Sequence, residues 1–244
     1  MKSRQEIKEI AKARFKANYW NCVLALLLIT AVFSVLNWST TVKQAQDVIQ
    51  RASEGYGSLP ELSSFTVSTR MGGGSLLSLL LTGPLTIGLH FFFIRNVQGR
   101  FDEISVTTPF TEAFKNYGRK LGGSLWMELF IFLWSLLFVI PGIIKALSYG
   151  MTQYILADCP DVKARDALKL SMRMMHGHKG ELFVLGLSFI GWILLTVLTL
   201  GILEIFYTGP YMSSTFAQYY LEIKDEALRN GVVTAEQLAG VQEV

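Results

Sequence analysis

Four long apolar runs constrain this chain more than any other feature. Trp20 to Trp38 is 19 residues without a charge, and Met71 to Ile94 is 24 residues in which His90 is the one group able to carry charge. Leu121 to Ile140 is 20 residues with a single acid, Glu128, and Leu182 to Leu203 is 22 residues with none. A helix needs about 20 mostly apolar residues to cross the hydrocarbon core of a bilayer, and each run is close to that length. Two weaker runs accompany them. Pro141 to Ala157 contains Lys145, and Ile205 to Leu221 is uncharged but rich in Ser, Thr and Tyr. Only 17% of the 244 residues are charged, against roughly 25% in soluble domains. The reading that follows is an all-α membrane protein with six transmembrane helices.

The basic residues test the number of spans, because Lys and Arg concentrate in cytoplasmic loops. With six spans and both termini inside, 18 of the 22 basic residues fall on the inner side: six in residues 2–16, five in 95–120, five in 163–179 and two in 224–229. Lys43, Arg51 and Arg70 lie in an expected external loop of about residues 39–70, and Lys145 lies in or beside a span. Omitting the weak fourth span would strand a basic cluster outside. The expected location is therefore a membrane that the chain crosses several times, with both termini on the cytoplasmic side. About 19 polar or amphipathic residues precede the first apolar run, which reads as a retained span with a Trp at each interface rather than a cleaved signal. Cys22 and Cys159 both fall at or near the cytoplasmic side, where disulfides are rare, and two cysteines build no framework.

Each odd-numbered span is preceded by a basic amphipathic segment expected to form a cytoplasmic helix. Residues 3–18 place Ile7, Ile10, Ala11, Arg14 and Phe15 at helical spacing, with a Ser3/Glu6 capping box. Residues 108–120 align Phe110, Ala113, Phe114 and Tyr117, and residues 161–176 align Ala164, Ala167, Leu168, Ser171, Met172 and Met175. The chain thus reads as one integral membrane domain, 1–225, made of three hairpin repeats at about 1–98, 99–158 and 159–225, followed by a cytoplasmic tail, 226–244. The tripeptide Thr-Gly-Pro occurs at 82–84 and 208–210, and Pro141-Gly142 sits between them. Pro is tolerated in a first helical turn and Gly permits tight reversal, so these pairs are expected to mark outer turns before the inward spans.

The inward spans are the more polar ones. Polar side chains inside a membrane face the bundle and bond across helices, so Ser148, Gln153, Ser214 and Gln218 are expected on its inside. Glu128 and Lys145 are the intramembrane charges and, with Gln153 and Gln218, the candidate intramembrane functional residues. Either the two charges pair, or Lys145 snorkels outward while Glu128 bonds to a polar neighbour or is protonated. Arg173, His176, His178 and Lys179, in "RMMHGHKGE", are candidate contacts for a lipid headgroup; two histidines at a helix end do not define a metal site. No phosphate-binding loop, dinucleotide fingerprint, H-E-x-x-H or G-x-S-x-G occurs. No cofactor, metal or enzymatic activity is expected. The net charge of +3 is too modest to indicate nucleic-acid binding, and the basic residues instead favour anionic lipids at the inner surface.

The stretches "EIKEIAKARFKANYW", "PGIIKALSYGMTQYILAD", "KLSMRMMHGHKGELFVLGLSFIGWILLTVLTLGI" and "GPY" resemble a family of bacterial polytopic membrane proteins catalogued as domain of unknown function 975. The most distinctive part is Ser171, Met174 or Met175, Gly177 and Lys179, and the resemblance runs to about Lys224. It implies a polytopic membrane protein and supplies no catalytic residues. The chain is also distantly similar to the membrane portion attached to some glycerophosphodiester phosphodiesterases, which implies an accessory role beside lipid. The functional expectation is a non-enzymatic accessory or lipid-interacting module, with membrane lipids, a partner membrane protein or a second copy of itself as partners. The alternative is a small transporter or channel that uses the polar faces of the inward helices.

Overall fold

A computed structural model describes residues 2–38, 76–137 and 139–240, together with positions 42, 46 and 50. The expected external loop therefore lies almost wholly outside the described residues. Those described are all-helical, without a strand.

Helix α1 (Arg4–Ala17) starts at Ser3, whose hydroxyl accepts the Glu6 N–H while the Ser3 N–H donates to the Glu6 carboxylate. These bonds lower the Glu6 pKa. Asn18 leaves helical geometry at φ −128° and ψ 41°, and α2 (Tyr19–Leu36) departs at that elbow. The Asn18 amide donates to Asn96 Oδ1 at 3.0 Å, and Asn21 donates back to Asn18 at 2.8 Å. The elbow is thereby tied to the end of α3 (Leu76–Val97). Helix α3 is central and packs against α1, α2, α4 (Thr108–Phe114), α5 (Tyr117–Leu137), α7 (Thr152–Asp158) and α11 (Gly209–Arg229). Gly88 makes the α4 contact possible, because a Cβ there would lie 2.0 Å from the Pro109 carbonyl oxygen.

Successive helices pair. Helix α2 meets α3 through Ile29 and Leu85. Helix α5 meets α6 (Val139–Tyr149), where Gly142 lies so close to Ser135 that a Cβ would sit 2.5 Å from its hydroxyl. Helices α9 (Lys179–Leu187) and α10 (Ile190–Leu198) form one apolar rod, and Thr196 reaches a π-helical turn (Glu204–Thr208) at the Thr208 hydroxyl, 3.3 Å away. Helix α8 (Ala164–Met174) packs on α5 and α7, and α12 (Ala235–Leu238) closes the described chain. Three stretches, Tyr19–Leu36, Ser78–Val97 and Lys179–Leu198, are long and apolar enough to cross a membrane.

One expectation needs correcting: Gly83 and Pro84 lie inside continuous α3 rather than at a turn. Gly83 is there for packing, since a Cβ would meet Ser124 of α5 at 2.5 Å. The second Thr-Gly-Pro does open a helix, but the reversal before it is made by Leu200 and Gly201, both at positive φ (52° and 86°). Pro141 and Gly142 sit within the first turn of α6. The apolar faces of α1 and α8 are covered by protein, whereas Phe114 at the end of α4 is exposed. Ile7, Ala11 and Phe15 are wholly buried, with α1 lying along α11, and Ala167, Leu168, Leu170, Ser171 and Met174 of α8 are buried too. Amphipathic spacing fixes which side is apolar, not what covers it. Past residue 226 the described chain stays packed on the other helices. Helix α11 continues to Arg229, Val233 and Leu238 join the core, and Gly240 abuts the Asp161 carbonyl.

Candidate functional site

Polar and aromatic side chains converge where α3, α7 and α11 meet. The His90 ring stacks on Tyr154, with centroids 4.0 Å apart, and Tyr154 stacks on Tyr220 at 5.5 Å. The Tyr220 hydroxyl donates to Asp158 Oδ2 at 3.1 Å, and the Lys224 ammonium reaches the same oxygen at 2.5 Å. The column therefore runs from an imidazole in α3 to an ion pair between α7 and α11. Helical spacing builds it from two sides: Tyr154 and Asp158 are four apart on α7, and Tyr220 and Lys224 are four apart on α11.

Arg119 fixes the far end. Its guanidinium donates to the carbonyls of Leu156, Cys159 and Val162 at 2.6, 3.0 and 2.7 Å. Those carbonyls lie in the last turn of α7 and the loop just after it, where helix-end carbonyls lack intrahelical partners. Cys159 lies 4.0 Å from Lys224. Burial raises its thiol pKa although Lys224 pulls the other way, so the sulfur stays a protonated, unreactive thiol at neutral pH.

A second polar tie holds α1 to α11. Glu222 is buried, accepts from Lys2 at 2.6 Å and accepts from the Gln218 amide at 3.0 Å. Lys8 lies over the Phe189 ring at 4.5 Å, and burial lowers its pKa. Gln218, Ser148 and Ser214 are buried as expected, and Gln153 is half-buried. Ser148 takes part in an inter-helix bond: its carbonyl accepts from the Ser171 hydroxyl at 2.8 Å, and that hydroxyl accepts the Met151 N–H at 3.2 Å.

The remaining candidates separate. Glu128 is exposed on α5 in a row with Leu125, Leu129, Phe132, Leu133 and Leu136. The Lys145 ammonium rests over the Trp134 ring at 4.8 Å. Arg173 and His176 are exposed and Lys179 is half-exposed at the start of α9. His178 is engaged by protein: Nδ1 lies 3.1 Å from Glu181, Nε2 lies 3.6 Å from Glu226, and its carbonyl accepts from the Tyr219 hydroxyl at 3.2 Å. It clips the α9 start to α11, leaving Arg173, His176 and Lys179 as the outward-facing part of the cluster.

None of His90, Tyr154, Asp158, Tyr220 and Lys224 stands among the candidate functional residues drawn from the sequence. Beside the column lies an apolar groove of about 570 Å³ between the α6–α7 junction, α9–α10 and α11. His90 and Tyr154 form one wall, Leu182, Phe183 and Ile190 another, and Phe216 comes from α11.

A family model described as a protein of unknown function, DUF975, matches residues 1–150 and 136–227, two overlapping stretches that together span most of the chain. No curated protein and no solved structure matches it.

Proposed function

We propose, from the premise that this chain belongs to the DUF975 family of proteins of unknown function, that it is a multi-pass protein of the bacterial plasma membrane acting as a non-enzymatic, lipid-interacting module. In this reading three hairpins cross the bilayer: α2 with α3, α5 with α6–α7, and α9–α10 with α11. Both termini face the cytoplasm. The observation that carries it is a segregation of exposed side chains. The exposed large apolar residues gather on α2, the start of α3, the far half of α5, the start of α6 and the α9–α10 rod. Exposed basic residues lie on α1 (Arg4, Lys12, Arg14, Lys16), between α4 and α5 (Lys115) and on α8 (Arg165, Lys169, Arg173). An apolar belt beside a basic layer is how a protein meets hydrocarbon and an anionic inner surface, each cation near that surface contributing about 1 kcal/mol.

Single cysteines test this directly. In a background without Cys22 and Cys159, an impermeant maleimide should label Thr199→Cys on intact cells and Lys163→Cys only after permeabilisation. Equal labelling of both on intact cells would refute the topology. A second reading, a small transporter or channel, draws on the buried polar side chains of α6, α7 and α11, including Ser148, Thr152, Ser214, Thr215 and Gln218. Its test is flux into proteoliposomes, lost on Gln218→Leu or Lys145→Met; flux equal to that of lipid-only vesicles ends that reading.

A further inference from the structure

The groove beside His90 is open along one side. Phe183, Leu187, Ile190 and Ile193, which line it, are each about half exposed, and all belong to the apolar α9–α10 rod. Its volume falls within the range of roughly 300–1,000 Å³ usual for ligand sites. Nearly every lining group is apolar, and His90 and Tyr154 are the polar ones. His90 is itself unusual. Its Nδ1 is buried and has no hydrogen-bond partner among the described residues, while the residue as a whole is not fully buried. An N–H buried without an acceptor costs more than an idle lone pair, so the proton belongs on Nε2, where it is available to an acceptor entering the groove.

Position along the rod identifies the occupant. Lys179 begins α9, one turn before Phe183 in the groove wall, and Arg173 and His176 lie just upstream. A basic cluster thus stands at one end of an apolar slot whose long side opens on the exposed apolar face. His90 lies seven residues from the Val97 end of α3, a depth of about 10 Å along the helix, inside the roughly 15 Å half-thickness of a bilayer core. We propose that the groove holds one acyl chain of an anionic phospholipid from the inner leaflet. Its ester carbonyl meets the His90 ring, and its phosphate meets Lys179 and Arg173. This rests on the lipid-interacting reading above and deepens it by assigning that reading a stoichiometric site.

Gly186 offers an unusually clean test. It lines the groove, and a Cβ there would meet nothing within 4 Å, so a side chain at 186 starts from open space at the slot. Gly191 in α10 has equally open space and does not line the groove, which makes it the matched control. The full chain, purified in mild detergent and stripped of lipid, is offered dioleoyl phosphatidylglycerol, dioleoyl phosphatidylcholine or oleate, and bound lipid is counted by native mass spectrometry. Wild type and Gly191→Phe should each hold one phosphatidylglycerol. Gly186→Phe and Gly186→Leu should lose it by at least about tenfold. Lys179→Gln with Arg173→Gln should abolish the preference for phosphatidylglycerol over phosphatidylcholine while a chain still binds. Undiminished binding in both Gly186 variants, with helical circular dichroism intact, would overturn the proposal. So would oleate binding as tightly as phosphatidylglycerol, or no lipid on wild type. The cysteine labelling above reads topology independently: if that fails while Gly186→Phe still expels a bound phospholipid, the proposed orientation falls and a phospholipid site stands.

Discussion

The central helix α3 and the α9–α10 rod are two answers to the same length of apolar chain. The stretches Ser78–Val97 and Lys179–Leu198 are both 20 residues long, yet the first has a mean hydropathy of 1.3 and is 50% buried, while the second has 2.2 and is 17% buried. The more buried helix is the less apolar one, the reverse of a soluble protein. Helix α3 is surrounded by other helices, so it can carry Asn96, bonded to Asn18, and His90, stacked on Tyr154. The rod has protein on one side only. Its remaining surface, from Phe183 to Leu198, must be apolar if what surrounds it is hydrocarbon, which cannot hydrogen-bond a polar group. Close packing and polar ties therefore stabilise α3, and the environment holds the rod.

That contrast breaks most readily at Gly88. The α4 backbone lies where a side chain would go, so Gly88→Leu should cost more than about 3 kcal/mol and prevent accumulation of folded protein. Gly191→Leu on the rod should be tolerated or slightly stabilising, since it removes a helical glycine. Fluorescence-detected size exclusion of both variants decides this. Phe15→Ala comes next. The ring is wholly buried between Tyr19 and Tyr207, and its truncation should cost about 3–5 kcal/mol, read as a lowered midpoint of thermal unfolding in detergent. Asp158→Ala should cost about 2–3 kcal/mol, below the range for a fully buried pair, because Lys224 keeps a fifth of its side chain exposed. Adding Lys224→Met should recover part of the loss, as a double-mutant cycle would show. The smallest effect should be Leu194→Ala, at roughly 0.5 kcal/mol or less in detergent, because Leu194 is 62% exposed. A loss at Leu194 as large as that at Phe15 would dissolve the comparison.

Much of this was legible beforehand. The described parts of the apolar runs are mostly helical, Ser3 and Glu6 form the capping box they spell, and Ser148, Ser214 and Gln218 are buried. What spacing alone could not show has a common cause. Spacing showed that Ile7, Ala11 and Phe15 share a face, and a lipid surface or another helix could equally have covered it; α11 does. Gly83-Pro84 reads as a turn by local chemistry, but a proline inside a helix is tolerated where neighbouring helices support it, and Gly83 is fixed by its closeness to Ser124. The column from His90 to Lys224 joins three helices from distant parts of the chain, and only the four-residue steps from Tyr154 to Asp158 and from Tyr220 to Lys224 hinted at it. The Gly186 opening has no sequence signature, because the glycine matters for what is not beside it.

The most direct measurement is accessibility of nitroxide labels in lipid nanodiscs, comparing dissolved oxygen with a water-soluble nickel chelate. Labels on Leu28→Cys, Leu129→Cys and Leu194→Cys should collide readily with oxygen and hardly with nickel, and labels on Ser148→Cys, Ser214→Cys and Gln218→Cys should be shielded from both. Nickel collisions exceeding oxygen collisions at Leu129 and Leu194 would place those faces in water and contradict the account.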